Sequence, residues 1–406
     1  MSRLRDAAAA WLLAMVLVGC GSTSWIGGGD YGFLTGTRER PGPGTRAVRV
    51  RWRVEVAPGF RAALAGTYVP VERAAAELDP AHDRVYLGSS AGQLWALTGA
   101  GARVYAYESG PIAARPTLDA MRDELYVPTE DGVLHLLQAS SGSLRWRCEV
   151  GGAVTQPAVL VGDAAYVVTD TDVVVAVDRS SGETLWRYRR DAPEGFYIAE
   201  HAGLALSADQ RRLITGFTDG VVVSLSPSDG SVQWERDTTI DLEPGADGTA
   251  RFADVDATPV IVGDVVYAAS FAGGLHALEL ASGTVLWRDA EISGVTSLAP
   301  GPDGVLVIAS ADMGLAAIVP HESEREVLWR KRPPRGAVGH PTLVGDLVLY
   351  GETQGGFITA SMATGEEIGR IEVGTGFTAP ATVADGRGFI LSNGGVLLAF
   401  ALPGAR

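Results

Sequence analysis

One motif recurs along most of this chain and restricts what it can fold into. A copy reads Gln156-Pro157, Gly162-Asp163-Ala-Ala-Tyr166, Val173 to Asp178, and Ser181-Gly182-Glu-Thr-Leu-Trp186. Another reads Thr258-Pro259, Gly263-Asp264-Val-Val-Tyr267, Gly274 to Glu279, and Ser282-Gly283-Thr-Val-Leu-Trp287. A period of roughly 40 to 50 residues marks a propeller or a solenoid. Each copy holds an Asp-x-x-Tyr-like strand, a Gly turn, a second apolar strand, another Gly turn and a strand carrying Trp. Eight copies can be laid out between Asp83 and Ala399, the seventh with Gly369 in the Trp position and the eighth without its last strand. The segment Val48-Arg-Val50-Arg-Trp52-Arg-Val54 alternates apolar and charged residues, the period of a half-buried strand. It supplies what the eighth copy lacks and closes the ring, which removes open sheet edges. The expectation is an all-β, eight-bladed β-propeller of four-stranded antiparallel blades, closed by residues 47–56. The count drops to seven if the irregular fourth or seventh copy forms no blade of its own.

The repeated residues have structural roles in this reading. Gly142, Gly182, Gly230 and Gly283 each precede a Trp by four positions and sit in turns that favour positive φ. The Trp rings at 146, 186, 234 and 287 then seal each blade against the next. Asp178 and Glu279, just before the turns, are placed to accept backbone N–H bonds.

The N-terminus has a different character. Arg3 and Arg5 precede an apolar run from Ala7 to Val18, too short for a confident membrane span and of the form of a secretory signal. It ends Leu17-Val18-Gly19-Cys20, which resembles the bacterial lipobox. That resemblance implies a signal peptide over 1–19 and a Cys20 carrying diacylglycerol and palmitate. Residues 20–46, rich in Gly, Ser, Thr, Pro and Arg with no apolar period, read as a flexible tether. The propeller occupies 47–406. Acyl chains contribute about 0.8 kcal/mol per buried methylene, so the folded part is expected at a membrane surface outside the cytoplasm.

Charge and catalytic patterns narrow the function. A net charge of −15 argues against nucleic acid as a partner, since phosphate binding needs clustered Lys and Arg. The six His residues, at 82, 135, 201, 276, 321 and 340, show no metal-ligand spacing. His135 and His276 fall at equivalent repeat positions. Cys148 shares a strand face with Trp146 and reads as a small buried hydrophobe. No Gly-x-Ser-x-Gly elbow or phosphate loop is present. No catalytic residue, metal or cofactor is expected. Two connections are enlarged, at Asp191 to His201 and Thr238 to Phe252, and long loops on a rigid scaffold are where binding concentrates. The second leads through an acidic stretch with Asp241, Glu243, Asp247, Asp254 and Asp256, suited to steering a basic partner.

The pattern Ala176-x-Asp178-x-x-Ser181-Gly182-x-x-x-Trp186 resembles the repeat of quinoprotein-type, PQQ-like propellers. With a lipobox in front, the chain is similar to the BamB family of propeller lipoproteins in the outer-membrane β-barrel assembly complex. The most specific piece is Arg251-Phe-Ala-Asp254-Val-Asp256-Ala-Thr-Pro259. The resemblance implies a non-enzymatic scaffold at the periplasmic face of the outer membrane. Its implied partners are a BamA-like barrel-assembly subunit and, less directly, unfolded outer-membrane proteins. Asp254 and Asp256, with Arg251, would lie on the surface meeting that subunit. The family's Leu-x-Leu-Arg-Gly stretch has no counterpart here. Residues Gly195 to Ala199 carry Phe196, Tyr197 and Ile198 as apolar anchors instead, without the Arg. A propeller lipoprotein that binds another envelope protein or a cell-wall polymer stays open as the alternative. A pyrroloquinoline quinone dehydrogenase fits less well, because the chain has no adjacent Cys pair.

Overall fold

The computed structural model describes residues 38–41, 47–57, 71–191, 201–240, 254–320 and 326–403. Among these residues there is no α-helix. Eight antiparallel sheets follow one another along the chain, built from consecutive strands running from the centre outwards, except that N-terminal strands join the outer edges of blades seven and eight. Blade three shows why the motif makes one. Ala164–Thr169 and Val173–Asp178 are apolar runs buried on both faces, because a neighbouring blade covers each side. The outer strand Thr184–Arg189 alternates between half-buried and exposed positions. Its Trp186 packs on Tyr166 with ring centroids 5.7 Å apart.

The seams repeat one device. Trp146, Trp186 and Trp234 donate their indole N–H to carbonyls of the next blade, at Arg179 (2.9 Å), Pro227 (3.0 Å) and Leu280 (3.0 Å). Each ring lies on the following blade's turn glycine: Trp146 on Gly182, Trp186 on Gly230, Trp234 on Gly283. These glycines have φ of 76°, 73° and 68°. They are required both by the left-handed backbone and by the ring above them. In blade one Tyr105 takes the Trp role, its hydroxyl donating to Ala139 O at 2.7 Å. In every blade the ladder slips by one residue just before this aromatic position, as between Ala176 and Val177 opposite Trp186 and Thr184. Such a bulge adds twist and re-aims the following side chain. It also turns the preceding residue outwards, which accounts for the exposed Leu185, Leu286 and Leu328.

Arg49–Glu55 forms the outer strand of blade eight, paired with Val396–Ala401. Three bonds then join blade eight to blade one. Trp52 Nε1 donates to Gly99 O (2.8 Å), Thr382 Oγ1 donates to Ala76 O (2.7 Å), and Arg387 pairs with Asp83 (2.8 Å). The count is therefore eight, and the fourth and seventh copies each form their own blade.

Blade seven departs from the plan. Gly369 leaves no indole at its seam, where phenylalanine rings pack instead. Phe357 contacts Phe400 and Phe377 at centroid distances of 5.1 and 5.9 Å, within a core that also holds Val48 and Leu347. Blade seven also carries a fifth strand, Arg38–Pro41, antiparallel to Glu367–Glu372 with Pro41 opposite Gly369. These four residues fall inside the segment read as a flexible tether, so that reading is corrected for them. An outer edge offers unpaired N–H and C=O groups, and pairing with it needs no apolar period in the added strand. The rest of 20–46, with Cys20 and the signal segment, lies outside the described residues.

The turn carboxylates act locally. Asp178 accepts backbone N–H bonds from Ser180 (2.9 Å) and Ser181 (2.8 Å). The Ser180 hydroxyl and these amides hold its carboxyl down to about 2. Glu279 accepts from the Ser282 hydroxyl. Cys148 is buried, as are His135 and His276, each at the third position of its strand.

Candidate interaction face

Connections from each outer strand to the next inner strand emerge on one face of the disc. The hairpins between the two middle strands share that face, and backbone bonds tie the two sets together. Ile112 N bonds Ser89 O, Val154 N bonds Thr129 O, Val255 N bonds Phe217 O, and Phe377 N bonds Glu352 O, all between 2.9 and 3.1 Å. A second bond returns from the next hairpin, as Asp170 N to Ala153 O (2.9 Å) and Phe271 N to Asp254 O (2.8 Å). Asp254-Val255-Asp256 therefore stands where other blades have Pro111-Ile112-Ala113, Ala153-Val154-Thr155 and Gly376-Phe377-Thr378.

Val255 is the plug of this set. It is buried, and a Cβ on Gly216 would lie 2.1 Å from its Cγ1, so Gly216 has to be glycine. The flanking carboxylates are recessed with it, Asp254 at 4% and Asp256 at 7% exposure. Each has an interaction partner. A buried carboxylate is costly to hold, whereas Ala, Gly, Pro and Thr serve the same backbone positions elsewhere. Arg251, Phe196, Tyr197 and Ile198 lie outside the described residues.

The structure adds residues that no sequence motif marks. Ile240, at the start of the second enlarged connection, is 72% exposed. A lone apolar residue in a connection carries no periodic signal. At the end of the first enlarged connection, His201 is buried with Nε2 3.2 Å from Asp172 Oδ1. Asp172, also buried, accepts from Thr218 N (3.2 Å) and the Thr218 hydroxyl. This cluster fixes the return of the chain at the seam between blades three and four. No local spacing betrays it, because its members come from three connections.

Nearer the axis, the mouth of the channel gathers Arg73, Arg115, Gln156 and His340. Glu77 lies 3.4 Å from Arg115. Burial pushes its carboxyl up to about 7, against the opposing pull of Arg115. A raised folded-state pKa means that the native chain binds this proton more tightly than the unfolded chain. The resulting stability is complete below the ordinary carboxylate range and is lost as pH rises through about 7. Glu77→Gln is expected to be more stable than the parent at pH 8 by up to roughly 3 kcal/mol, with little difference at pH 4. Urea unfolding at the two pH values reads this. Equal differences at both would show that burial does not act on Glu77 as argued. Among the described residues, no three His, Cys, Asp or Glu side chains are grouped to hold a metal ion.

The family model described as outer membrane protein assembly factor BamB matches residues 49–326. The chain belongs to that family. Outer membrane protein assembly factor BamB of Shewanella oneidensis is 25% identical over 287 residues, covering 70% of this chain and 71% of that protein. The Yersinia pestis protein of the same name is 26% identical over 287 residues, covering 69% and 70%. The crystal structure of BamB from Moraxella catarrhalis superposes with a TM-score of 0.73 at 22% identity, over 88% of this chain and 100% of that one. A quinohemoprotein alcohol dehydrogenase from Pseudomonas putida HK5 shares the fold at a TM-score of 0.65 and 12% identity, over 88% of this chain and 77% of that one. These structural likenesses concern architecture. The BamB match lies in the sequence as well.

Proposed function

We propose that this chain is a non-enzymatic assembly factor of the outer membrane, a rigid scaffold for the insertion of β-barrel proteins, anchored through a lipidated Cys20 at the periplasmic face. The family match over residues 49–326 carries the reading. The partner is a BamA-type barrel-assembly subunit. It docks on the face bearing the two enlarged connections, with Asp254 and Asp256 as a polar floor and Arg251 as a further contact. Phe196, Tyr197 and Ile198, joined by the exposed Ile240, supply apolar anchors. Support for the carboxylates comes from their position, where other blades manage with small or apolar residues. Recessed charges serve a partner that covers them, since desolvated pairs weigh more than rim pairs.

The test is co-purification from the native envelope in mild detergent. Asp254→Ala with Asp256→Ala is expected to reduce recovery of the barrel-assembly subunit about tenfold, which is about 1.4 kcal/mol. The melting temperature should hold, because Ala153 and Ala113 occupy the equivalent positions in blades three and two. Unchanged recovery with an intact fold would remove these residues from the interface. Recovery of a different envelope protein or a cell-wall polymer would favour the alternative ligand on the same scaffold.

A further inference from the structure

The central channel opens on the interaction face as a cavity of about 250 Å³. Its wall carries Arg73, Arg115 and His340, with Thr155, Gln156 and Thr378 between them. Arg115, Gln156 and His340 precede Pro116, Pro157 and Pro341, so one recurring position turns inwards from three blades. All six side chains carry N–H or O–H groups that can donate. Among the described residues the wall holds no carboxylate. That runs against a chain with 48 acidic and 33 basic residues. Thr378 Oγ1 is buried and makes no hydrogen bond. Gln156 is already committed, donating to His201 O at 2.9 Å, and Arg73 and His340 each have an interaction partner, so an anion would share these groups rather than find them free. Glu77 approaches through Arg115, and its carboxyl, pushed up to about 7, offsets that guanidinium only in part near neutral pH.

We propose that this cavity binds a small organic anion through its carboxylate or phosphate oxygens, held by Arg73, Arg115 and the Thr378 hydroxyl. Guanidinium groups bind both oxyanions in a fixed fork, and a concave low-dielectric wall concentrates their field. The volume corresponds to roughly eight waters at about 30 Å³ each, the scale of a small polycarboxylate rather than a polymer. The site draws on the segments leading into blades one, two, three, seven and eight. A bound anion therefore bridges the closure of the ring and raises its melting temperature.

Isothermal titration of the full chain at pH 7 tests this, with citrate in one arm and inorganic phosphate in the other. Citrate is expected to bind one to one with a Kd below about 1 mM. Arg115→Gln and, separately, Thr378→Val should each weaken it about tenfold or more. The second variant removes a donor without removing charge, and it guards against a folding defect in the first. Binding of phosphate in place of citrate, with the same sensitivity to both variants, assigns the site to phosphate-bearing ligands. The proposal is overturned if neither anion saturates below about 10 mM, or if both variants bind as the parent does.

Discussion

A chain that begins at residue 58 is expected to lose its cooperative thermal transition and to elute from size exclusion as aggregate. Residues 49–55 are the whole outer strand of blade eight. With their flanks they place Val48, Val50, Trp52, Val54 and Val56 in the cores on either side of the last seam. Burying a large apolar side chain contributes about 1.5 to 3 kcal/mol, so these five account for roughly 8 to 12 kcal/mol with allowance for the half-buried ones. Domain stabilities lie at about 5 to 15 kcal/mol, and the loss is of the same size. The truncation also removes the Trp52 bond to Gly99 and bares the edge of Val396–Ala401, an apolar strand ready to pair with another chain. A peptide spanning 47–57, added in trans, should restore a single transition. A truncated chain that melts within a few degrees of the parent would show that the ring does not depend on this closure. A chain beginning at residue 43 separates the two N-terminal strands. It lacks only Arg38–Pro41 on blade seven and should fold as the parent does.

How far such features could be read from the sequence depended on whether each recurs. The closing strand was legible because Val48 to Val54 alternate strictly and blade eight visibly lacked a partner. The Trp and Gly positions were legible because a seam repeated around a ring imposes the same pair each time. The bulge before each Trp was not, since an extra residue inside a strand leaves the spacing from Gly to Trp unchanged. The strand Arg38–Pro41 was hidden for a related reason. It binds through backbone groups to an edge that any extended segment can match, so its composition still reads as linker. At the interaction face, Asp254 and Asp256 stood out as residues. Their shared origin with Ala153-Val154-Thr155 appeared only in the hydrogen bonds, because plug positions tolerate Ile, Val and Phe and so keep no motif. The channel donors follow the same logic. Arg115, Gln156 and His340 share a position before proline, but their chemistry differs from blade to blade, and only the ring brings them together.

The pairing of Trp186 with Gly230 should appear as strong non-additivity. A Cβ at residue 230 would lie 2.6 Å from the Trp186 ring, and the backbone there has φ 73°. Gly230→Ala therefore has two costs, about 1 to 2 kcal/mol for a left-handed backbone and about 1 to 3 kcal/mol for overpacking. Trp186→Ala leaves a void at the seam between blades three and four, at about 3 kcal/mol, the low end for a Trp because this ring is only half-buried. The indole bond to Pro227 O is lost with it, but that carbonyl still accepts from Tyr166 at 2.9 Å, so no orphaned acceptor adds to the cost. In the double variant the new methyl group meets no ring. The overpacking cost vanishes while the backbone cost remains. The pair should be less destabilised than the sum of the single variants by about 1 to 3 kcal/mol, measured by urea unfolding of all four proteins. Additivity within about 0.5 kcal/mol would mean that glycine is held at 230 by its backbone angle alone, and that the indole packs over the turn without needing the space. The same cycle on Trp234 and Gly283, where the contact is 2.5 Å and φ is 68°, should give a coupling of the same sign.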